Sequence, residues 1–195
     1  MPTGIALRDV REQLFGAAER VLLRDGPSAL TSRAVTAEAG VAKGVLHRHF
    51  ADFDAFLAEL VLDRAGRIEG EAAVLRDRAG TGTVAGHVAT ALTALFASVA
   101  VQMVGLLIFR DDLRARLRQA GAARVPVLTE ATAMIAAYLA AERDRGRVAA
   151  EADVDTLALT LIGTGHLLFA GREGIPPEAA EVDKVVTTTL AGVLR

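Results

Sequence analysis

Charged side chains that could bind nucleic acid are concentrated in one short segment. Residues 31–50, TSRAVTAEAGVAKGVLHRHF, predict two short helices separated at Gly40, because glycine readily adopts the positive φ that ends a helix. Lys43, His47 and Arg48 fall at positions i, i+4 and i+5 of the second helix and can share a face. Such groups bind phosphates and base edges. The pattern indicates a helix-turn-helix that binds DNA.

The two helices must pack together to hold that face in place. Val35, Val41 and Leu46 are the apolar residues expected to join them. The whole chain has a net charge of −2, whereas residues 33–50 contain three cations and one carboxylate. The positive charge is therefore local. Taken alone, these residues could also form an ordinary solvated helix face.

The residues around this segment form a longer, ordered pattern. LFGAA at 14–18 is followed by VL at 21–22 and DG at 25–26, then by TSRAVT at 31–36 and AGVAKGVLHRHF at 39–50. From about Leu7 to Leu62 the chain resembles the N-terminal domain of TetR-family transcriptional regulators. The last segment in that family is usually AGVSKGTLYHHF.

This resemblance implies an all-α protein with a helix-turn-helix DNA-binding domain at 1–62 and an effector-binding and dimerisation domain at 63–195. It implies a ligand-responsive transcription regulator, usually a repressor, that is released from a palindromic operator in double-stranded DNA by a small hydrophobic effector. The DNA contacts are expected at Thr31, Arg33, Lys43, Gly44, Val45, His47, Arg48 and His49. Among these, Gly44 would permit close backbone approach, Val45 would touch a thymine methyl group and Arg48 would contact a base.

Three positions depart from the family's usual pattern. Ala42 replaces a serine that can cap the recognition helix, and losing a cap costs about 1 kcal/mol. His47 replaces a tyrosine, so DNA affinity is expected to depend on pH. Phe53 replaces a frequent lysine, which predicts a shallower dependence of binding on salt concentration.

The remaining sequence has helical periodicity throughout. Start and stop signals predict helices over about 7–24, from just after residue 52 to about 76, and over 84–109, 111–119, 126–145, 153–170 and 178–194. The uncharged stretch between Arg78 and Arg110 is long enough to span a bilayer. Its polar residues and the absence of aromatic anchors favour a buried helix instead, so no membrane partner is expected. The chain has no cysteine and no signal-peptide pattern, and a cytoplasmic location is expected.

A stripe of apolar residues on the last helix predicts dimerisation. Two recognition helices about 34 Å apart can read successive major grooves of a palindrome, which favours a homodimer. The alternative is that the stripe packs within one chain. The residues assigned to the interface are Leu161, Gly165, Val182, Val185, Val186, Leu190 and Val193.

An effector pocket is predicted from polar or bulky side chains on otherwise apolar helices. Ligand pockets are mostly apolar cavities with few polar anchors, although each of these residues could equally be ordinary core. The candidates are His87, Gln102, Met103, Phe109, Met134, Tyr138, His166 and Phe169.

Catalytic and metal-binding patterns are not evident in the sequence. There is no HExxH, GxSxG or phosphate-binding glycine loop, and no cysteine nucleophile. His47 and His49 are two positions apart and would point in different directions on a helix. No enzyme activity, metal or cofactor is therefore expected. A dimeric helical binding protein that lacks an operator is the remaining alternative to a regulator.

Overall fold

The computed structural model describes residues 4–122, 125–170 and 175–195, with side chains from Val10 onwards. This part of the chain is all-α, as predicted, and its β-type pairing is limited to an isolated antiparallel bridge between Val148 and Leu194. The helices are α1 Gly4–Asp25, α2 Ser32–Glu38, α3 Gly44–His49, α4 Phe53–Asp77, α5 Val84–Phe96, α6 Ala100–Phe109, α7 Asp111–Gln119, α8 Pro126–Asp144, α9 Val154–Ala170 and α10 Ala179–Leu190.

Side-chain caps fix the start of several helices. The Thr31 hydroxyl accepts the Ala34 N–H at 3.1 Å, and the Asp52 carboxylate accepts the Ala55 N–H at 2.8 Å. These bonds satisfy backbone donors that a helix start leaves unpaired. Thr83 caps α5 in the same way. The predicted beginnings of α2, α4 and α5 are confirmed.

The predicted helix over 84–109 is wrong as a single element. It is divided into α5 and α6, which are bent by 53° at residues 97–99. The Ser98 hydroxyl donates to the Leu95 carbonyl and accepts the Ala100 N–H at 3.4 Å. A serine that bonds to neighbouring backbone in this way competes with the helical pattern. Helical periodicity alone does not reveal such a break.

Two compact units make up the chain. The first contains Met1–Asp63 and Gln102–Arg124, and the second contains Arg64–Val101 and Val125–Arg195. The sequence-based division at 62/63 differs, because it places 102–124 in the second domain. Within the first unit, α7 and the residue before it are joined to the start of α4 by ion pairs Arg110–Asp54 and Arg116–Asp52.

The core of the second unit is built from α5, α8, α9 and α10. Helix α10 packs on α5 and α9, and α8 packs on α9. The apolar stripe of α10 is fully inside this packing: Val182, Val186 and Leu190 are at most 3% exposed. The stripe therefore stabilises the single chain.

The last helix is shorter than predicted. It ends at Leu190 instead of continuing to 194. The Val193 carbonyl accepts the Ala149 N–H at 2.8 Å, and the Arg195 N–H donates to the Arg147 carbonyl at 3.0 Å. The terminal residues thus pair with the segment after α8 instead of forming another helical turn.

Among the described residues, no single helix is long and apolar enough to cross a bilayer. Helices α5 and α6 together would pass by length and composition alone, but they are the pair that is bent.

Candidate nucleic-acid interface

The turn between α2 and α3 has the geometry of a helix-turn-helix. Gly40 has φ 67°, its N–H donates to the Ala37 carbonyl, and the Val41 N–H donates to the Thr36 carbonyl at 3.0 Å. This bonding at a left-handed glycine is a Schellman ending, which reverses the chain within a few residues. Helix α3 then begins at Gly44. The predicted stop at Gly40 is confirmed.

Helix α2 is held against α1 by polar contacts that the sequence did not indicate. Arg20 and Arg24 bind the Glu38 carboxylate at 2.7 and 2.9 Å, and these bonds hold the pKa of Glu38 below its ordinary value. Gln13 donates to the Ala39 carbonyl at 2.8 Å. These contacts fix the last turn of α2, which precedes the recognition helix.

Helix α3 presents one face to the interior and the other to solvent. Leu46 is fully buried and Val35 of α2 is buried with it, whereas Val41 is only half-buried. Aromatic rings of Phe15, Phe50 and Phe56 stack around the end of α3 with centroids 5.0–5.9 Å apart. This packing decides which side of a six-residue helix faces outward.

The outward face carries the side chains predicted to contact DNA. Lys43, Gly44, His47 and Arg48 are exposed, and we call these four residues the recognition face. Val45 and His49 are half-buried at its border. The structure thus brings the predicted residues of α3 to one surface region, while Thr31 and Arg33 lie exposed at the start of α2.

The cations at these positions have no ion-pair partner among the residues that the structure describes. This holds for Arg33, Lys43 and Arg48, whereas Arg11, Arg20 and Arg24 of α1 are paired with carboxylates. The hydroxyl oxygen of Thr31 accepts the cap bond, which leaves its proton available to donate to a phosphate. These groups can bind an anion without first breaking an internal salt bridge.

Ala42 and Phe53, which depart from the usual family pattern, lie just before α3 and at the start of α4. No side chain caps α3, and the backbone of Lys43 is already helical at φ −47°, ψ −35°. Phe53 stacks on Phe56 with centroids 5.7 Å apart, and the Arg110 guanidinium lies 5.4 Å from its ring centroid. A packed aromatic ring therefore stands where many family members have a lysine.

Comparison with known proteins decides the family. Residues 14–60, which include α2, the turn and α3, match the family model of bacterial regulatory proteins of the tetR family. Residues 14–60 form a helix-turn-helix DNA-binding domain of the TetR family of transcription regulators. No match to a curated protein is found for this chain.

Solved structures share the fold over nearly the full length of this chain. A TetR-family regulator from Mesorhizobium loti is 17% identical, with a TM-score of 0.67 over 100% of both chains. One from Agrobacterium tumefaciens is 12% identical, with a TM-score of 0.73 over 97% of this chain and 100% of the other. FadR from Bacillus subtilis, solved in complex with stearoyl-CoA, is 17% identical, with a TM-score of 0.63 over 93% of this chain and 98% of the other.

The predicted effector residues are distributed over both compact units. Gln102, Met103 and Phe109 belong to the first unit; Met103 is fully buried, and Phe109 is 85% exposed and lines a pocket of about 530 Å³ at Pro27. In the second unit, His166 and Phe169 lie beside the ring of Phe96.

His87 and Met134 do line one cavity of about 230 Å³ within the second unit. We call it the α4–α5 pocket. Its walls come mainly from the end of α4 and from α5, and its lining residues are Glu71, Val74, Leu75, Arg78, His87, Thr90, Ala91, Ala94 and Met134. The residues from α4 were absent from the sequence prediction, because a helix face does not reveal its neighbour.

A buried polar network adjoins this pocket. Glu142 is fully buried and accepts the Gly80 N–H at 3.0 Å, the Tyr138 hydroxyl at 2.6 Å and the Arg147 guanidinium at 3.2 Å. Nδ1 of His87 lies 2.9 Å from the Tyr138 hydroxyl oxygen. Burial and the neighbouring carboxylate raise the pKa of Tyr138 well above its ordinary value. Tyr138 is therefore a protonated hydrogen-bond donor, and it is fully buried.

The residues predicted for the dimer interface differ in their burial. Leu161, Gly165 and three residues of α10 are buried within the chain, namely Val182, Val186 and Leu190. A Cβ on Gly165 would lie 2.7 Å from the Phe96 ring, so this glycine permits close packing inside the chain. Val185 and Val193 are half-buried, and Val193 lies beyond the helix. The buried residues pack within the single chain, since an apolar stripe indicates burial but not its partner, and the dimer interface stays a prediction.

Proposed function

We propose that this chain is a repressor that binds a palindromic operator as a homodimer in the cytoplasm and is released by a small hydrophobic effector. The observation that carries the DNA-binding part is the recognition face, whose cations are exposed and unpaired among the described residues. Phosphate contacts supply affinity and base contacts supply specificity. Lys43 and Arg33 are placed for phosphates or bases near helix starts, His47 and His49 for phosphates, and Arg48 for a base edge.

Fluorescence anisotropy on duplex DNA from the region upstream of the gene tests this proposal. The same measurement on a scrambled duplex, at several salt concentrations, separates specific from non-specific binding. We expect tight, salt-sensitive and sequence-selective binding. Weak and equal binding to both duplexes, extended to genomic fragments, would favour a helical binding protein without an operator.

The effector part rests on the α4–α5 pocket, whose floor includes Leu75 and Met134. FadR from Bacillus subtilis, which shares this fold, was solved with stearoyl-CoA bound, and that supports ligand binding by this architecture. Because the pocket is lined by α4, an effector there would move the helix whose first turn follows α3. Such coupling is commonly about 1–3 kcal/mol. If no effector found by screening changes operator affinity, this part fails.

For the homodimer, the exposed face of α9 replaces the stripe predicted from the sequence. Leu159 and Leu167 are 63% and 75% exposed. They lie one turn on either side of Gly163, which has open space around its Cα. Large apolar side chains at this spacing form a face that a second copy can cover.

Analytical ultracentrifugation tests this interface. Leu159→Glu combined with Leu167→Glu should convert the dimer to a monomer and abolish cooperative operator binding, because charges would be buried on the dimer face. Thr188→Glu, at an exposed position of α10, is the matched control and should remain dimeric. An unchanged sedimentation coefficient of the double variant would place the interface elsewhere.

A further inference from the structure

The proton positions in the network beside the α4–α5 pocket follow from its geometry. Glu142 pairs with Arg147 and accepts the Gly80 N–H, as a carboxylate does. Because a carboxylate only accepts, the single hydroxyl proton of Tyr138 is donated to Glu142 at 2.6 Å. The Tyr138 oxygen must then accept from His87, 2.9 Å away. Nδ1 of His87 therefore carries a proton.

This arrangement selects one tautomer of the neutral imidazole. With Nδ1 protonated, Nε2 has a free lone pair and is a hydrogen-bond acceptor. No protein donor to Nε2 is found in the part of the chain that the structure describes. A Cβ on Gly82 would lie 3.0 Å from Nε2, so any side chain at position 82 would crowd this nitrogen. The Gly82 carbonyl is itself occupied, since it accepts from Arg147 at 2.6 Å.

The other residues that line the pocket differ from His87 in how they could hydrogen-bond to a ligand. Most are apolar, namely Val74, Leu75, Ala91, Ala94 and Met134. The Thr90 hydroxyl already donates to the Gly86 carbonyl at 2.8 Å. Glu71 and Arg78 are exposed and remain solvated. His87 is therefore the half-buried polar residue of this lining. The side chains of Tyr138 and Glu142 fix which of its ring nitrogens donates and which accepts.

We propose that the α4–α5 pocket binds an apolar small molecule that carries a hydroxyl group, and that Nε2 of His87 accepts the hydroxyl proton. This inference rests on the proposed effector binding and adds the chemical class of the ligand. A ligand that offers only an ether or ketone oxygen would need Nε2–H, the tautomer that Tyr138 and Glu142 exclude. The relay thus makes the pocket selective for hydrogen-bond donors.

Two probes of the same ring system test the proposal: 2-naphthol, which has a hydroxyl group, and 2-methoxynaphthalene, which does not. Their binding is followed by naphthalene fluorescence, since the chain has no tryptophan. At about pH 8, we expect 2-naphthol to bind about tenfold more tightly, because the ether leaves an acceptor unsatisfied. Equal affinity for both probes, or no binding of 2-naphthol, would overturn the proposal.

Nitrogen-15 NMR of the imidazole rings provides a second, ligand-independent readout. The chain has four histidines, and the resonances missing in His87→Gln identify His87. We expect the Nδ1–H tautomer in the free protein and a saturable shift of Nε2 on adding 2-naphthol only. An Nε2–H tautomer would contradict the proposal.

Tyr138→Phe keeps the ring but removes the hydroxyl that fixes the tautomer. The affinity ratio of the two probes should fall from about tenfold towards one. Glu130→Gln, on the exposed side of the same helix, should leave the ratio unchanged. His87→Gln should also lose the preference, because it removes the imidazole itself. A ratio that Tyr138→Phe does not alter would exclude the relay. Operator anisotropy without probe reports DNA binding independently, so failure of the regulator proposal is distinguishable from failure of the pocket.

Discussion

The two compact units of the chain use charged side chains in opposite ways. In the first unit, Lys43 and Arg48 are exposed and have no ion-pair partner among the described residues. In the second unit, Glu142 is fully buried, and three donors from Gly80, Tyr138 and Arg147 satisfy it. Lys43 and Arg48 therefore keep their charge available to a partner, whereas the charge of Glu142 is compensated within the fold.

The difference in solvent exposure sets the energetic cost of each group of charges. An exposed charge in water contributes little to folding, so Lys43 and Arg48 can serve binding at almost no cost in stability. A buried carboxylate without partners would cost several kcal/mol. Glu142 therefore fixes the positions of the α4–α5 turn and of Tyr138. Substitutions in the first set should change DNA affinity, and substitutions in the second set should change stability.

Removing the buried carboxylate should have the largest effect. Glu142→Ala leaves Tyr138, Arg147 and the Gly80 N–H without their acceptor, and we expect a loss of about 3 kcal/mol in the free energy of unfolding. Urea denaturation followed by circular dichroism measures it. Glu130→Ala, exposed on the same helix, is the control and should stay within about 0.5 kcal/mol of the parent. Equal losses of unfolding free energy in both variants would show that the buried Glu142 stabilises the fold no more than an exposed carboxylate does.

Substitutions on the recognition face should change binding and leave stability intact. Lys43→Ala should weaken binding to operator and scrambled DNA alike, whereas Arg48→Ala should weaken operator binding by about 1–3 kcal/mol and relax sequence preference. Anisotropy on both duplexes measures this. Lys184 is the other lysine of the chain and is exposed on α10, so Lys184→Ala is the control. Equal effects of Lys43→Ala and Arg48→Ala on both duplexes would show that the assigned roles are wrong.

Restoring the missing cap should strengthen the first unit modestly. Ala42→Ser supplies a hydroxyl that can accept a backbone N–H at the start of α3, and we expect a gain of about 1 kcal/mol in the stability of that helix. Hydrogen exchange of the α3 amides measures the gain. Ala42→Val has no acceptor and should give none. Equal protection in both variants would show that the uncapped start is not a weakness.

The smallest predicted effect is a pH dependence in the second unit. Burial lowers the pKa of His166 below its ordinary 6.5, and its Nδ1 is buried without a hydrogen-bond partner in the described structure. As the pH falls below about 6.5, the unfolded chain takes up this proton before the folded chain does. Stability is then complete above that pH and declines towards the folded-state pKa. His166→Gln should reduce the difference in urea midpoint between pH 7.5 and 5.5; an unchanged difference would contradict this.

Local sequence signals predicted much of the first unit. Thr31, Gly40 and Asp52 are short-range caps and stops, whose effects depend on neighbours within a few residues. The recognition face could be predicted for the same reason, since a single turn of helix decides its geometry. The contacts of Gln13 and Glu38 that hold α2 in place could not, because no local pattern records which carbonyl or arginine lies opposite.

The sequence by itself determined where most helices begin and end and which segment carries the recognition face. Only the tertiary structure decided that Val186 and Leu190 pack inside the chain while Leu159 and Leu167 of α9 remain outside. It also brought His87 to Tyr138, 51 positions away. Helix periodicity indicates that a face is buried, but the partner of that face depends on how distant helices pack, and no local interaction encodes that choice.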